Sequence, residues 1–586
     1  MFHKNKLKDT SFYNFWIVWK FLNFKRKLQL IILIILMLLS SLSEVFTIAT
    51  VIPFIDFLTN KEIIYQNPIV QSLFINNNIK NENIIFTGIS IIFILAIFSS
   101  GLLRISNLYF SGKYTAIIGH QISRECYKRS LFQELEVHIN RNSSILISSI
   151  TRHIDKTISL LNSFLLFLIS FLNILFIYIG LLIFDGELAI TTVIGFVLIY
   201  GIIIFFTGKR LRRNSLKVAE YSTQQYKELQ EGFGSFREIL LENNQEFNLN
   251  RYSLVDFNMR KYSAQSLFLR SFPKYALESF AICLLIILGL IFSIKRGQAS
   301  NLISSLGVLA LASQRILPAA QNMYQSWAAI TSTSAEFDDV VKLLNQKIIS
   351  TSNIGTPLKC FKEISFNCVS FEYKENNYET IKNLKLNIKN GEKIGIKGIT
   401  GSGKSTFVDL FMGLLKPSKG YILVDNLDIN DELNLDTLIK WRKSIAHVPQ
   451  KIFLADMTIE QNIAFGVPPE MINHDLVRLC AKNANADKFI ENLKDGYKTR
   501  IGEWGVRLSG GQQQRIGIAR ALYKDTNILV LDEATSALDY MTEKKVIESI
   551  YKNYEGKTVL AIAHRTSTLK NFDRVIEFTK NDIIFS

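Results

Sequence analysis

The sequence predicts a two-part chain: an α-helical membrane domain of six spans, then a soluble α/β domain built around a phosphate-binding loop. Three observations carry that prediction. Apolar residues make up 48% of the 586 and charged residues only 20%, yet the long apolar runs crowd into residues 28–330. The stretch Gly398-Ile-Thr-Gly-Ser-Gly-Lys404-Ser405-Thr406 reads G-x-x-x-x-G-K-S between a strand-like run, Lys393–Gly398, and a helix-like one, Phe407–Met412. Farther on, Asn527-Ile-Leu-Val-Leu-Asp532-Glu533 is an apolar strand that ends in two acids. The expected boundaries are a basic N-terminal segment at 1–27, a membrane domain at 28–330, a linker at 331–363 and a nucleotide domain at 364–586.

The apolar run from Leu28 to about Leu58 follows Lys25-Arg-Lys27. It is too long for a signal-peptide core and lacks a small-residue cleavage pattern, so it reads as a first transmembrane helix that continues past the bilayer. Further spans are expected at about 84–110, 157–184, 188–207, 274–294 and 301–325, the last interrupted by Ser304, Ser305, Ser313, Gln314 and Arg315. Lys113, Arg124, Lys128, Arg129, Arg141, Arg152 and Lys156 lie between spans two and three, and Lys209, Arg210, Arg212 and Arg213 follow span four. Only Asp185-Gly-Glu187 separates spans three and four. Positive charge is retained on the cytoplasmic side, which places both long loops and both chain ends there, although Lys295 and Arg296 go against the rule. The loops have helical composition and read as helices extended into the cytoplasm, with turns near Glu136–Ile147 and Arg237–Phe247 that suit contact with a soluble domain. Solvated loops without a mechanical role are the plainer alternative.

Much of the basic excess behind the formal charge of +16 flanks apolar spans, so cytoplasmic retention and anionic lipid account for it better than nucleic acid does, and no nucleic-acid motif is present. The five cysteines (126, 283, 360, 368 and 480) have no metal-ligand spacing.

The phosphate loop gives the soluble domain its chemistry. Gly398, Gly401 and Gly403 let the amides of Ile399, Thr400, Ser402 and their neighbours curl round phosphate oxygens, and the helix opening at Lys404 adds the positive end of its dipole. Lys404 reaches the β- and γ-phosphates. The Ser405 hydroxyl and Asp532 hold Mg²⁺, and Glu533 is placed to polarise an attacking water.

Between these motifs lies Leu508-Ser-Gly-Gly-Gln-Gln-Gln-Arg515. Here the chain resembles the ATP-binding cassette (ABC) transporters, whose signature is L-S-G-G-Q, and the resemblance covers nearly the whole sequence. It implies a type IV exporter fold and a nucleotide domain with a helical subdomain. Tyr373 matches the aromatic residue that stacks on adenine, and Gln450 the glutamine that contacts Mg²⁺. Thr499-Arg-Ile-Gly-Glu-Trp-Gly505 resembles a loop specific to exporters, Ser536-Ala-Leu-Asp539 the loop that crosses the dimer interface, and His564 the histidine that contacts the γ-phosphate. Singly, Tyr373 reads equally as a core aromatic and His564 as a strand-end histidine. Thr566 departs from the usual Leu, and the terminal helices of many relatives look absent. By the same resemblance, Ser509, Gly510, Gly511 and Gln512 would complete an ATP site on a second copy. A half-transporter working as a homodimer follows, with a heterodimer as the alternative.

Polar residues inside spans cost about 2.5–3.5 kcal/mol at mid-membrane, which singles out Glu44, Arg104, Lys274, Glu278 and Arg315. They are expected to line a substrate cavity with a basic belt suited to a phosphate or pyrophosphate head group. Ion pairing within or between helices, or snorkelling, is the plain alternative. The span-one stretch, Leu277-Glu278 and Arg315–Pro318 look similar to flippases of lipid-linked oligosaccharides, and Pro68–Ile75 to their small external amphipathic helix. The expected activity is ATP-driven export or flipping of a lipidic or glycolipid substrate at a bacterial plasma membrane. A multidrug or lipid A-type exporter is the alternative. A non-transport ABC ATPase is disfavoured by the spans, and a peptide exporter with an N-terminal protease by the short segment before span one.

Overall fold

The computed structural model describes residues 10–59, 82–184, 186–296, 299–348, 356–358, 361–373, 378–431, 435–563, 569, 571–579 and 583–585. Pro68–Ile75, His564, Thr566, Cys360 and most of the stretch 351–357 lie outside them. The chain forms two compact units, Met1–Gln133 with Asn140–Ile348, and Glu134–Ile139 with Ile349–Ser586.

The first unit is helical throughout its described residues. A short α1 (Thr10–Phe21) precedes α2 (Phe24–Thr59) and α3 (Glu82–Leu131). The short α4 (Leu135–Ile139) groups with the second unit. Then come α5 (Ser143–Ser148), a π-helical turn at Ser149–His153, α6 (Ile154–Phe184), α7 (Gly186–Gly234) and α8 (Phe236–Leu241). The long α9 (Gln245–Arg296), α10 (Ala299–Ser332) and α11 (Ser334–Leu344) complete the unit. All six expected spans fall inside long helices. The 50 residues of α3 rise about 75 Å, far more than the ~30 Å hydrocarbon layer, so the basic loops of the sequence are largely helix. Short helices occur at both expected turns.

Three described stretches, Phe24–Val51, Asn83–Leu131 and Ser143–Ile183, are long and apolar enough to cross a membrane. Large apolar side chains stand outward along them: Phe98 is 70% exposed and Leu108 72%. In water such a surface would be a liability; against lipid tails it costs nothing. Inward, α2 packs on α3, α6 on α10 and α7 on α9.

The expected membrane-domain limit at 330 is too early. Phe337, Val340 and Leu344 of α11 are buried in one cluster with Met37, Ile118 and Leu160, which places α11 within the first unit. The polar letters of this segment concealed an amphipathic helix. Its Glu336 is buried and accepts from Ser215 Oγ at 3.4 Å, and burial pushes its carboxyl up to about 7. Asp338 accepts from Asn14 Nδ2.

The second unit has two sheets. β1 (Glu363–Phe371), β2 (Ile381–Lys389), β4 (Lys419–Val424) and β5 (Leu427–Asp428) form an antiparallel sheet in the order β2-β1-β4-β5. The larger sheet has the order β10-β9-β3-β8-β7-β6. It contains β3 (Lys393–Gly398), β6 (Ile445–Val448), β7 (Ile528–Asp532), β8 (Thr558–Ile562), β9 (Arg574–Phe578) and β10 (Ile583–Phe585). Its strands are parallel except β10. Parallel strands are covered on both faces, which is why β8 is buried at every position. Because only β8 separates β3 from β7, the loop after Gly398 and the acids after Leu531 emerge at the same edge of the sheet.

The unit has two apolar cores. One gathers the sheets around α12 (Lys404–Phe411) and α13 (Leu435–Lys443). The other gathers α14 (Ile459–Ile463), α15 (His474–Asn483), α16 (Asp487–Glu491), α17 (Gly510–Tyr523) and α18 (Tyr540–Asn553).

Candidate nucleotide site and membrane cavity

The loop at 398–406 has the backbone its sequence requires. Gly398, Gly401 and Gly403 have φ of +150°, +81° and +94°. A Cβ on Gly398 would lie 2.2 Å from the Phe578 carbonyl oxygen, and one on Gly403 3.2 Å from that of Thr380. Lys404 Nζ donates to the Gly398 and Ile399 carbonyls at 2.8 Å each, which holds the ammonium at the mouth of the loop. Ser402 Oγ is buried there without a partner in the protein. Tyr373 packs edge-on to Phe371 with centroids 4.8 Å apart, and its hydroxyl is 3.1 Å from Thr406 Oγ1, so its ring sits beside the opening of α12.

The acids come from the end of β7. Burial, and then the neighbouring Glu533 carboxylate, push Asp532 above the usual carboxylate range, and Lys404 partly offsets this. Burial and the Asp532 charge push Asp409, on α12, up to about 6. Glu533 has a left-handed backbone, φ +48°, uncommon for a residue with a Cβ. Gln450 Nε2 donates to Glu533 Oε2 at 2.6 Å. A hydroxyl (Ser405), a carboxamide (Gln450) and a crowded carboxylate (Asp532) form a hard-oxygen donor set that suits Mg²⁺ shared with phosphate oxygens. The Glu533 carboxylate follows Asp532 directly in the chain.

Ser509–Gln512 opens α17. Ser509 is its N-cap and closes a reciprocal pair with Gln512: Gln512 N to Ser509 Oγ at 3.4 Å, Ser509 N to Gln512 Oε1 at 2.9 Å. Gly510 and Gly511 are the first two residues of this helix and lie at its positive end. Asp539 caps α18 by accepting from Thr542 N at 3.0 Å. Sequence reading missed Gln514, which joins these two motifs. It is buried, donates to Ser536 Oγ at 3.0 Å and accepts from Ala537 N at 2.9 Å. Its place inside Gln-Gln-Gln was the available signal.

In the first unit, Glu44, Arg104 and Arg315 line one cavity of about 290 Å³ between α2, α3, α6 and α10. Arg104 Nε is 3.2 Å from Glu44 Oε1. Asn173 Nδ2 donates to the same oxygen at 3.4 Å, and Asn173 Oδ1 accepts from Ser41 Oγ at 2.5 Å. The other two expected cavity residues, Lys274 and Glu278, do not line it. They are one turn apart on α9, 4.0 Å from each other, and Gln321 Nε2 donates to Glu278 at 3.3 Å. Helical spacing lets them satisfy each other. The amides of the cavity also went unpredicted; single Asn and Gln letters inside apolar runs were their only trace.

The chain is similar to several known proteins. A family model described as ABC transporter matches residues 381–536. A heterocyst differentiation ATP-binding protein, HepA, from Nostoc is 30% identical over 500 residues, 84% of this chain and 80% of that protein. The ATP-dependent lipid A-core flippase of Chromohalobacter salexigens is 31% identical over 392 residues, 66% of each. The solved structure of a bacterial Atm1-family ABC exporter with ATP bound superposes with a TM-score of 0.77 over 95% of both chains, at 20% identity.

Proposed function

The chain belongs to the ABC transporters as an ATP-hydrolysing, membrane-spanning exporter of the half-transporter kind, and on that premise we propose that it exports or flips a lipidic, head-group-bearing substrate as a homodimer. The single observation that carries the cargo reading is the cavity. Charges spaced across the chain, Glu44, Arg104 and Arg315, meet in one place among otherwise lipid-facing helices. Charges there persist only when they are paired or when they serve a polar guest. The lipid A-core flippase among the relatives supports a lipidic guest. A glycan precursor on a lipid carrier is the finer version.

In this reading Lys404 and the loop amides hold the phosphates of ATP, and Tyr373 flanks the base. Ser405, Gln450 and Asp532 hold Mg²⁺, which when bound neutralises charge building between the β- and γ-phosphates. Glu533 orients the water, and the family resemblance assigns His564 to the γ-phosphate. Ser509–Gln512 and Asp539 act on the site of the second copy, so ATP joins two domains and hydrolysis parts them. The long helices carry that motion to the cavity. Their basic ends support a nucleotide domain on the cytoplasmic side of a bacterial inner membrane.

The test is ATP-driven movement of a fluorescent anionic lipid between leaflets of proteoliposomes. Transport that needs ATP and fails in the Lys404→Ala variant is expected. If neutral hydrophobic drugs are moved and stimulate hydrolysis while no lipid does, the multidrug reading replaces this one.

A further inference from the structure

Glu44 decides how much charge the cavity offers. It is 5% exposed and lies at ion-pair distance from Arg104, which is 40% exposed. One arginine is therefore matched within the protein, and Arg315, from another helix of the same cavity, supplies the unmatched positive charge. All three residues come from helices of one chain.

Around these charges stand five carboxamides, Asn107, Asn162, Asn173, Gln314 and Asn322. A carboxamide donates and accepts at once, which is what hydroxyl and amide groups of a guest require. Asn107 is the most telling. It is 2% exposed, its Nδ2 donates to the Leu36 carbonyl at 3.4 Å, and its Oδ1 is buried without a partner in the protein. A buried acceptor at a cavity wall calls for a donor from whatever enters.

We propose that this cavity takes a lipid head group bearing one net negative charge, a phosphodiester or a carboxylate, beside hydroxyl or amide donors, and that it selects against a diphosphate. The proposal rests on the export reading above and names the head group. A diphosphate brings more negative charge than Arg315 balances and sets the excess against Glu44. A neutral sugar leaves Arg315 unmatched. A monoanion with hydroxyls answers both the charge and the amides.

The full-length protein in neutral proteoliposomes tests this through lipid-stimulated ATP hydrolysis and leaflet exchange. Four probes are added separately: phosphatidylglycerol, glucuronosyl diacylglycerol, monoglucosyl diacylglycerol and undecaprenyl diphosphate. The two monoanions are expected to half-saturate at concentrations roughly tenfold below the other two, and their order tells phosphodiester from carboxylate. Glu44→Gln leaves two unmatched arginines and should shift the preference toward the diphosphate by a similar factor. Glu44→Gln combined with Arg104→Gln returns the site to one positive charge and should restore the monoanion preference, a rescue that a purely structural role for Glu44 does not produce. The neutral or diphosphate lipid being preferred by the wild type, or a Glu44→Gln variant with unchanged preference, overturns the head-group proposal alone. Absence of stimulation and exchange with all four lipids overturns the export reading with it.

Discussion

The nucleotide unit and the membrane unit build their sites in opposite ways. In the former, most of the working atoms come from short continuous stretches, 398–406, 509–512 and 532–533, delivered by strand ends and helix openings. In the latter, Glu44, Arg104, Asn107, Asn173 and Arg315 are single polar letters in apolar helices, and only the packing of four helices makes them a site. Backbone amides and a fixed loop shape recognise a phosphate chain that is the same in every cell. A cargo site has to differ between relatives, and scattered side chains on a constant helical frame can change one at a time. Damage to the first site should therefore stop turnover for every cargo, and damage to the second should change which cargo counts.

The largest effect that follows is at Glu533. Its carboxylate accepts from Gln450 and stands beside Asp532, and the proposed function has it take a proton from the attacking water. Glu533→Gln keeps the shape and removes the base. Hydrolysis should fall about 10²–10⁴-fold, the range expected for a general base, with ATP binding retained. Single-turnover hydrolysis beside nucleotide-binding measurements would show it, and a loss that depends on the lipid present would break the contrast between the units. Arg315→Ala should act less and selectively. A lost charge-assisted contact of about 1.5–3 kcal/mol raises the concentration of an anionic lipid needed for half-stimulation by roughly tenfold or more, and hardly affects a neutral one. An equal shift for both lipids would make Arg315 a structural residue.

The same contrast explains what could be read in the letters. The phosphate loop was legible because its glycines are demanded by the backbone: the positive φ of Gly398, Gly401 and Gly403 leaves few other choices. The spans were legible because lipid accepts apolar surface on every side. The end of the membrane unit was not, since α11 is a polar-looking helix whose Phe337 and Leu344 face inward, and periodicity over so short a helix competes with a high charge content. Lys274 and Glu278 lie outside that cavity, four apart on one helix and 4.0 Å from each other, as the ion-pair alternative had it. Gln514 and Asn107 stayed hidden because a buried amide shows its purpose only when its partners, or its lack of one, are known.

The smallest effect sharpens the contrast from the side of stability. Asp409 touches no motif, yet burial and the Asp532 charge lift its carboxyl to about 6. Folding therefore favours its protonated form, and as pH rises from the unfolded-state value through 6 the folded domain loses stability that it holds at lower pH. Above pH 6 the ionised side chain carries the whole penalty, at most about 1–3 kcal/mol for a shift of this size and less where solvent reaches it. Asp409→Asn removes the charge without changing the shape. The unfolding midpoint of the nucleotide unit should rise by a few degrees at pH 7.5, and the gain should shrink toward zero as the pH is lowered to 4. Thermal melts of both proteins across that range decide the matter. A gain that is constant with pH would mean that packing, not the crowding of two carboxylates beside the phosphate loop, sets the cost. That crowding is the same one that readies Asp532 for a cation, so a stability penalty of this kind belongs to the nucleotide unit. In the membrane unit, by contrast, the buried carboxylate of Glu44 has a cation, Arg104, at 3.2 Å.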